Sequence, residues 1–504
     1  MIYLDGSSLT LDDLEAIARE QAPVAIADAA RARVRAARAV VDECAARDEP
    51  TYGVNTGVGD FAEVRIPADS LAALQVNLLR SHAAGVGEPL PIPVVRATMA
   101  LRANVLAKGY SGIRLETLAL LVEMLNRGVH PVVPSRGSVG ASGDLAPLAH
   151  LALVLIGEGS AWRGDASEPG AAALESAGLA PVALAAKEGL ALINGTQAST
   201  ALLGLAVADA ARLARAADIA AALSIDALRG SARPFEARIH EARGFTGQRL
   251  SAANLATLMA ESPINASHAN CGRVQDAYSM RCAAQVHGAA RDALAFARRT
   301  FDTEANAATD NPMVFADARE IVSGGNFHGA PVALSADVVC LALAQLATIS
   351  ERRSERLVNP ALSGLPAFLT EHGGLQSGLM LAQVTAAALA SELKTLAHPA
   401  SVDPIPTSAG REDHVSMSMA AALKASRAVD LARHVVACEL LCACEAIDLL
   451  APLASSAPLM RVHDFIRGRV PRVERDRSVS PDLRLISDMI VAGELERATG
   501  LVVN

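Results

Sequence analysis

Apolar residues recur at spacings of three and four over long stretches of this chain, the period of a helix with one buried face. Short polar, glycine-rich islands interrupt them. The first stretch, residues 11–19, follows Thr10 with Asp13 three places on, an N-cap signal that predicts a helix. Ala-rich residues 25–47, with arginine and aspartate on one side, predict a second. Residues 70–81, 93–108 and 115–127 predict three more, the last two closed by Gly109 and Gly128. Residues 145–156 are apolar on every side, which predicts a buried helix. A Gly/Pro/Ser-rich segment at 159–185 has room for a hairpin around Ala161-Trp162-Arg163. Long helices are then predicted at 197–223, 274–300, 334–357, 376–396 and 412–450, some near 40 residues.

That pattern makes the fold class mainly α, a bundle whose helices run its length. A mostly helical region at 1–195 leads into a long-helix region at 196–504, expected to form one cooperative unit with it. Composition agrees: 51% of the 504 residues are apolar but only 3% aromatic, so the core is alanine, leucine and valine, which suits close helix packing. The net charge of −9 and the lack of a basic stripe exclude nucleic acid as partner. Seven cysteines without framework spacing fit a reducing compartment. The start has neither the basic nor the long apolar region of a signal peptide. The most membrane-like run, 331–350, carries Asp337 and ends in Glu351-Arg352-Arg353, and reads as a helix buried in protein. The expectation is a soluble cytoplasmic protein with no membrane partner.

The polar islands hold the candidate chemistry. Gly137-Ser138-Val139-Gly140-Ala141-Ser142-Gly143-Asp144 lacks the lysine of a phosphate loop and the Gly-x-Ser-x-Gly frame of a nucleophile elbow. A loop capping the next helix through Asp144 stays open. So does a covalent reading, because Ala141-Ser142-Gly143 has no side chain to block attack of the Gly143 nitrogen on the Ala141 carbonyl. Loss of two waters, one from the Ser142 hydroxyl, would leave an electrophilic methylidene-imidazolone ring. Tyr52 heads a loop with three glycines between 53 and 59. His82 follows a helix, where a cation at the C-terminal end is the simpler role. If helical, Gln275, Tyr278 and Arg281 share one face, and an arginine is a natural fork for a carboxylate. His434, Cys438 and Cys442 recur every fourth residue, but their small apolar neighbours favour core packing over a metal. No metal site is expected. Residues 467–477 mix arginine with acids and read as a solvated face.

Eight islands occur together, in one order: Tyr52-Gly53-Val54-Asn55-Thr56-Gly57, Ser81-His82-Ala83-Ala84-Gly85, Ala141-Ser142-Gly143-Asp144, Asn194-Gly195-Thr196-Gln197, Gln275-Asp276-Ala277-Tyr278, Asp310-Asn311-Pro312, Gly325-Asn326-Phe327-His328 and Glu412-Asp413-His414-Val415-Ser416-Met417. In this the chain resembles the aromatic amino acid ammonia-lyases that carry the methylidene-imidazolone group (MIO). The resemblance spans residues 50 to 420, and His82, Gln197 and Glu412 are similar to the histidine-specific branch.

The resemblance implies a fumarase/aspartase-like fold and a carbon–nitrogen lyase converting L-histidine to trans-urocanate and ammonia, the first step of histidine degradation. It implies MIO formed from Ala141, Ser142 and Gly143 without an external cofactor, and a homotetramer with shared active sites. Tyr52 would take the β-proton, although a phenol ordinarily titrates near 10 and needs activation. Asn194 would support the ring. Tyr278 would come from a mobile loop, Arg281 would bind the carboxylate beside Gln275, and Asn311 would contact the substrate. Phe327 would form an apolar wall, and His82 and Glu412 would recognise the imidazole. Helix starts at Asp144-Leu145 and Thr196-Gln197 would stabilise developing negative charge.

Three positions depart from the family pattern: Ala277 where proline is frequent, Arg411 where glutamine is common, and Val58 at a position often aromatic. An arginine beside Glu412 would hold that carboxylate ionised or reshape the pocket. The alternatives are a histidine 2,3-aminomutase, a phenylalanine or tyrosine ammonia-lyase, and a catalytically inactive relative.

Overall fold

The computed structural model describes residues 1–269 and 271–504. Thr10 and Asp13 form a reciprocal capping box, and Leu11–Arg19 is a helix burying Leu11, Leu14, Ile17 and Ala18 on one face. The second helix spans Asp28–Ala45, shorter than alanine content alone predicts. Val24–Ile26 instead pairs as a parallel strand with Ile2–Leu4, Ile2 opposite Val24 and Leu4 opposite Ile26. A distant strand and two β-branched residues override the local helix preference there.

Leu71–His82, Ile92–Ala107, Leu115–Asn126 and Leu145–Leu155 follow close to expectation, as does the hairpin Ser160–Arg163 with Ala166–Pro169. Five long helices come next: Gln197–Ala227, Ala283–Glu304, Ala330–Val358, Met380–Leu396 and Ser418–Leu449. The longest has 32 residues, about 48 Å at 1.5 Å per residue, rather than 40. Three of them start later than predicted, at 283, 380 and 418 rather than 274, 376 and 412. Residues 274–277 stay extended because Asp276 accepts the Ser231 N–H and pairs with Arg273 instead of joining a helix. Only the turn Tyr278–Arg281 is helical before Ala283. Residues 407–412 form a tight turn bridged between Thr407 and Glu412, and Met417 has a positive φ of 58° just before the last long helix.

Two compact units, each discontinuous in sequence, account for the described residues. The first comprises residues 1–205, 298–337 and 399–423. At its centre Ile92–Ala107 is buried from Val94 to Ala107, with Leu11–Arg19, Asp28–Ala45 and Leu115–Asn126 packed on it. The second comprises residues 206–297, 338–398 and 424–504. Arg467 and Arg472 there do not form a solvated face: both reach the buried Glu445, at 3.0 Å each, and Arg467 also holds Asp448. Cys438 and Cys442 are fully buried, and burial pushes the Cys438 thiol up to about 12. Helix Ala330–Val358 is long and apolar enough to cross a membrane by composition, but two thirds of its most apolar stretch is buried in protein.

Candidate active site

The turn around Ser142 sits between two helix starts. Helix Leu145–Leu155 begins directly after it, and Gly143 forms a parallel bridge to Gly195, two residues before Gln197 opens the next long helix. The Asp144 N–H donates to the Gly195 carbonyl at 2.7 Å. Gly143 has a φ of +74°, and a Cβ there would lie 2.2 Å from that same carbonyl oxygen. Both the conformation and the space therefore demand glycine. At Gly140, φ +66°, a Cβ would run into the hydroxyls of Ser416 and Ser418.

Asp144 caps a helix, but not the one that follows it. Its carboxylate accepts the Ser199 N–H and hydroxyl, both at 2.8 Å, and the Ser138 hydroxyl at 2.9 Å. It thus ties the turn to the start of the helix at 197. Burial pushes the Asp144 carboxyl above its ordinary value despite these donors. Glu304, whose carboxylate accepts the Thr196 hydroxyl, is also raised, first by burial and then by Asp144.

Asn194 closes the other side. Its Nδ2 donates to the Ser142 carbonyl at 3.1 Å, while its Oδ1 is buried with no hydrogen-bond partner among the described residues. The backbone carbonyls of Asn194 and Ala191 both accept from Arg102, a fully buried arginine that also donates to Gln197 Oε1 at 2.7 Å. Gln197 donates in turn to Thr309. It acts as a buried brace and does not line the cavity, although its position in the sequence motif points to specificity.

A cavity of about 770 Å³ opens in front of Ser142. Tyr52, His82, Ser142, Asn194 and Glu412 all line it, with Leu74, Leu78, Leu145, Leu190 and Phe61 as apolar wall. The Ser142 hydroxyl donates to Glu412 Oε1 at 2.7 Å and the Thr407 hydroxyl to Glu412 Oε2 at 2.5 Å. Partial burial raises the Glu412 carboxyl, but the donors Thr407, Ser142 and Ser408 and the nearby His82 outweigh it. The net effect holds Glu412 below its ordinary value and ionised. His82 is shifted down, chiefly by burial. Its Nδ1 lies 2.8 Å from the Leu78 carbonyl, an acceptor only, so Nδ1 carries the proton and Nε2 is left as an acceptor. The Tyr52 hydroxyl accepts the Gly59 N–H at 3.3 Å.

Other residues singled out in the sequence lie elsewhere. Asn311 is buried, its Oδ1 accepting the Gly324 N–H at 2.8 Å, and neither Asn311 nor Phe327 is on the cavity wall. Ala141 is buried behind Ser142. Gln275 and Arg281 line a separate cavity of about 610 Å³ within the second unit. Tyr278 is 70% exposed, with the Arg281 guanidinium 4.8 Å from its ring centroid. Arg411 does not touch the Glu412 carboxylate. It pairs with Asp60 on the Tyr52 loop at 3.2 Å. Sequence reasoning missed Thr407, Ser408 and Arg102. The Thr407-Ser408-Ala409-Gly410 run signals a turn, and only that turn brings Thr407 back onto Glu412.

A family model described as aromatic amino acid lyase matches residues 9–468. The chain is 55% identical over 494 residues to a histidine ammonia-lyase from Myxococcus xanthus, covering 98% of this chain and 97% of that one. Among solved structures, a histidine ammonia-lyase from Trypanosoma cruzi superposes with a TM-score of 0.92 at 45% identity, covering 99% of this chain and 95% of that one. A tyrosine aminomutase from Streptomyces globisporus gives a TM-score of 0.95 at 37% identity, covering all of both chains. A lyase and an aminomutase are matched about equally well, so backbone shape does not separate these chemistries.

Proposed function

The chain belongs to the aromatic amino acid lyase family, and we propose that within it the protein is a histidine ammonia-lyase, releasing ammonia from L-histidine to give trans-urocanate. The observation that carries this reading is the pairing of Glu412 and His82 on one cavity wall with Ser142. An ionised carboxylate and a neutral Nε2 offer acceptors to the ring N–H of an imidazole, and to both N–H groups when that ring is protonated. A phenyl ring brings no donor and would leave His82 Nε2 unpaired in the part-buried pocket, and a phenol brings a single O–H for the two acceptors.

The residues present fit an MIO group. Gly143 has no room for a side chain, Asn194 already donates to the Ser142 carbonyl, and the free Asn194 Oδ1 is a buried polar atom awaiting a partner. Ala141, Ser142 and Gly143 would supply the ring, and Asn194, Gly195 and Asp144 would hold it. When formed, the group supplies an electrophile that makes the substrate amine a better leaving group.

The remaining roles belong to side chains. Glu412 and His82 orient the imidazole, and the apolar wall around Leu74, Leu78 and Leu190 excludes water from it. Tyr52 takes the β-proton while the electrons of that C–H bond form the C=C bond and the C–N bond breaks. The starts of the helices at 145 and 197 stabilise the negative charge that develops between them. Arg281 and Gln275 bind the substrate carboxylate, with Tyr278 beside them. In a homotetramer with shared active sites, these three residues of one chain serve a substrate held by another. Such an assembly works in the cytoplasm without an external cofactor.

The test is ultraviolet absorbance of the purified protein with L-histidine, L-phenylalanine and L-tyrosine, with Ser142→Ala as blank. Urocanate from histidine alone is the expected result. The aminomutase match supports a second reading, and chromatographic analysis of the same reaction decides it: β-histidine in place of urocanate overturns the lyase assignment.

A further inference from the structure

Inside the second unit, Asp218, His287, Arg353 and Glu439 are all completely buried. So much buried charge is costly unless every group is paired. Asp218 accepts from His287 Nδ1 at 2.7 Å, Arg291 at 2.6 Å and Asn254 at 2.8 Å. Since a carboxylate only accepts, His287 carries its proton on Nδ1, and its Nε2 accepts from Arg353 Nη2 at 3.4 Å. Glu439 accepts from Arg353 Nε at 2.5 Å and Nη2 at 2.9 Å, and from the Ser224 hydroxyl at 2.7 Å. The third guanidinium nitrogen, Nη1, is turned elsewhere: it donates to the backbone carbonyl of Ser279 at 3.3 Å.

Ser279 lies inside the four-residue turn Tyr278–Arg281. A single turn does not hold itself in water. Met280 anchors it by burial, but Tyr278 is exposed and Arg281 rests on the Tyr278 ring, so packing alone does not fix either. Burial of Met280 and a backbone hydrogen bond from a braced guanidinium therefore both hold the turn to the core.

We propose that Arg353, braced by Glu439 and His287, is a positioning residue that sets where the Tyr278–Arg281 turn presents its phenol and its guanidinium. The inference rests on the reading above, in which those two groups serve the substrate. Lysine cannot substitute, because one ammonium has no fork to span Glu439, His287 and the Ser279 carbonyl together.

Arg353→Lys keeps the charge and removes the fork. It is expected to lower kcat/KM for L-histidine by roughly 10- to 100-fold, the scale of a small misplacement of a reacting group. In a Tyr278→Phe background the same substitution is expected to cost less than in wild type, leaving only the share carried by Arg281, because both changes act on one turn. Fully additive losses in that cycle overturn the proposal, since a merely structural arginine would give them. Deuterium uptake by residues 275–285 supplies a readout independent of turnover. It should rise in Arg353→Lys while uptake over 380–396 matches wild type, and an unchanged 275–285 segment also overturns the proposal. If Arg353→Lys does not fold, Arg353→Met with Glu439→Gln removes both buried charges together, and the same two readouts apply. A wild-type protein that makes no urocanate, with selective exchange in the variant, refutes the lyase reading and leaves the positioning of the turn standing.

Discussion

Two glycine-rich segments face the same cavity, and they are held in opposite ways. The turn at 137–144 is fastened at almost every residue. Ser416 and Gly329 both donate to the Gly140 carbonyl, Met417 donates to Val139, and the Asp144 carboxylate bonds the start of the helix at 197. The Tyr52 loop is fixed at its base, where Asn55 accepts the Thr51 N–H at 2.7 Å. Among the described residues its tip is held by local turn bonds and the exposed pair between Asp60 and Arg411. The difference matches the two jobs proposed for them. A ring that must close on its own backbone needs three residues held within reach, whereas a base that meets an incoming substrate needs a segment that opens at little cost.

The comparison breaks first at Gly143. Gly143→Ala drives a Cβ into the Gly195 carbonyl, so turnover should fall to the level of the Ser142→Ala blank, and a steady-state assay checks it. Activity near wild type would mean the tight turn is dispensable.

Glu412 joins the two regions, since it takes the Ser142 hydroxyl on one oxygen and faces the cavity. Glu412→Gln removes a charged acceptor worth about 1.5–3 kcal/mol, so kcat/KM for histidine should fall by roughly 10- to 150-fold. Any residual rate with phenylalanine should not fall with it.

A third expectation concerns pH. Burial holds the His82 pKa below 6.5, so Nε2 stays an acceptor down to lower pH than an ordinary histidine. As pH falls through the depressed value, the ring gains a proton and loses that acceptor. The acid limb of kcat/KM should therefore lie below pH 6.5 and change position in His82→Gln. The same depression makes the folded state bind the proton less readily than the unfolded chain. This histidine's contribution to stability is therefore complete above pH 6.5 and lost as pH falls through its folded value.

The smallest effect belongs to the loop tip. Arg411 and Asp60 are both more than half exposed, so Arg411→Gln should change kcat/KM by about twofold or less. A larger change would show that the tip is fastened as firmly as the turn.

Much of this was legible in the sequence where neighbours in sequence do the work. The Thr10–Asp13 box, the buried helix at 145 and the hairpin near Trp162 follow from local spacing alone. What escaped depends on long loops closing. Ala25 and Ile26 read as the start of a helix until Ile2–Leu4 is beside them. Asp144 reads as a cap for its own helix, yet its carboxylate crosses to Ser199, 55 residues away. Arg411 reads as a charge on Glu412, yet it reaches 351 residues back to Asp60. Sequence order names the groups around Ser142, and only the fold assigns their hydrogen bonds.

The most direct test of the account is the intact mass of the purified protein beside Ser142→Ala. The wild-type chain should be lighter than its sequence by two water molecules, with both missing waters traced to the peptide holding Ala141, Ser142 and Gly143. A wild-type mass equal to the unmodified sequence would contradict it.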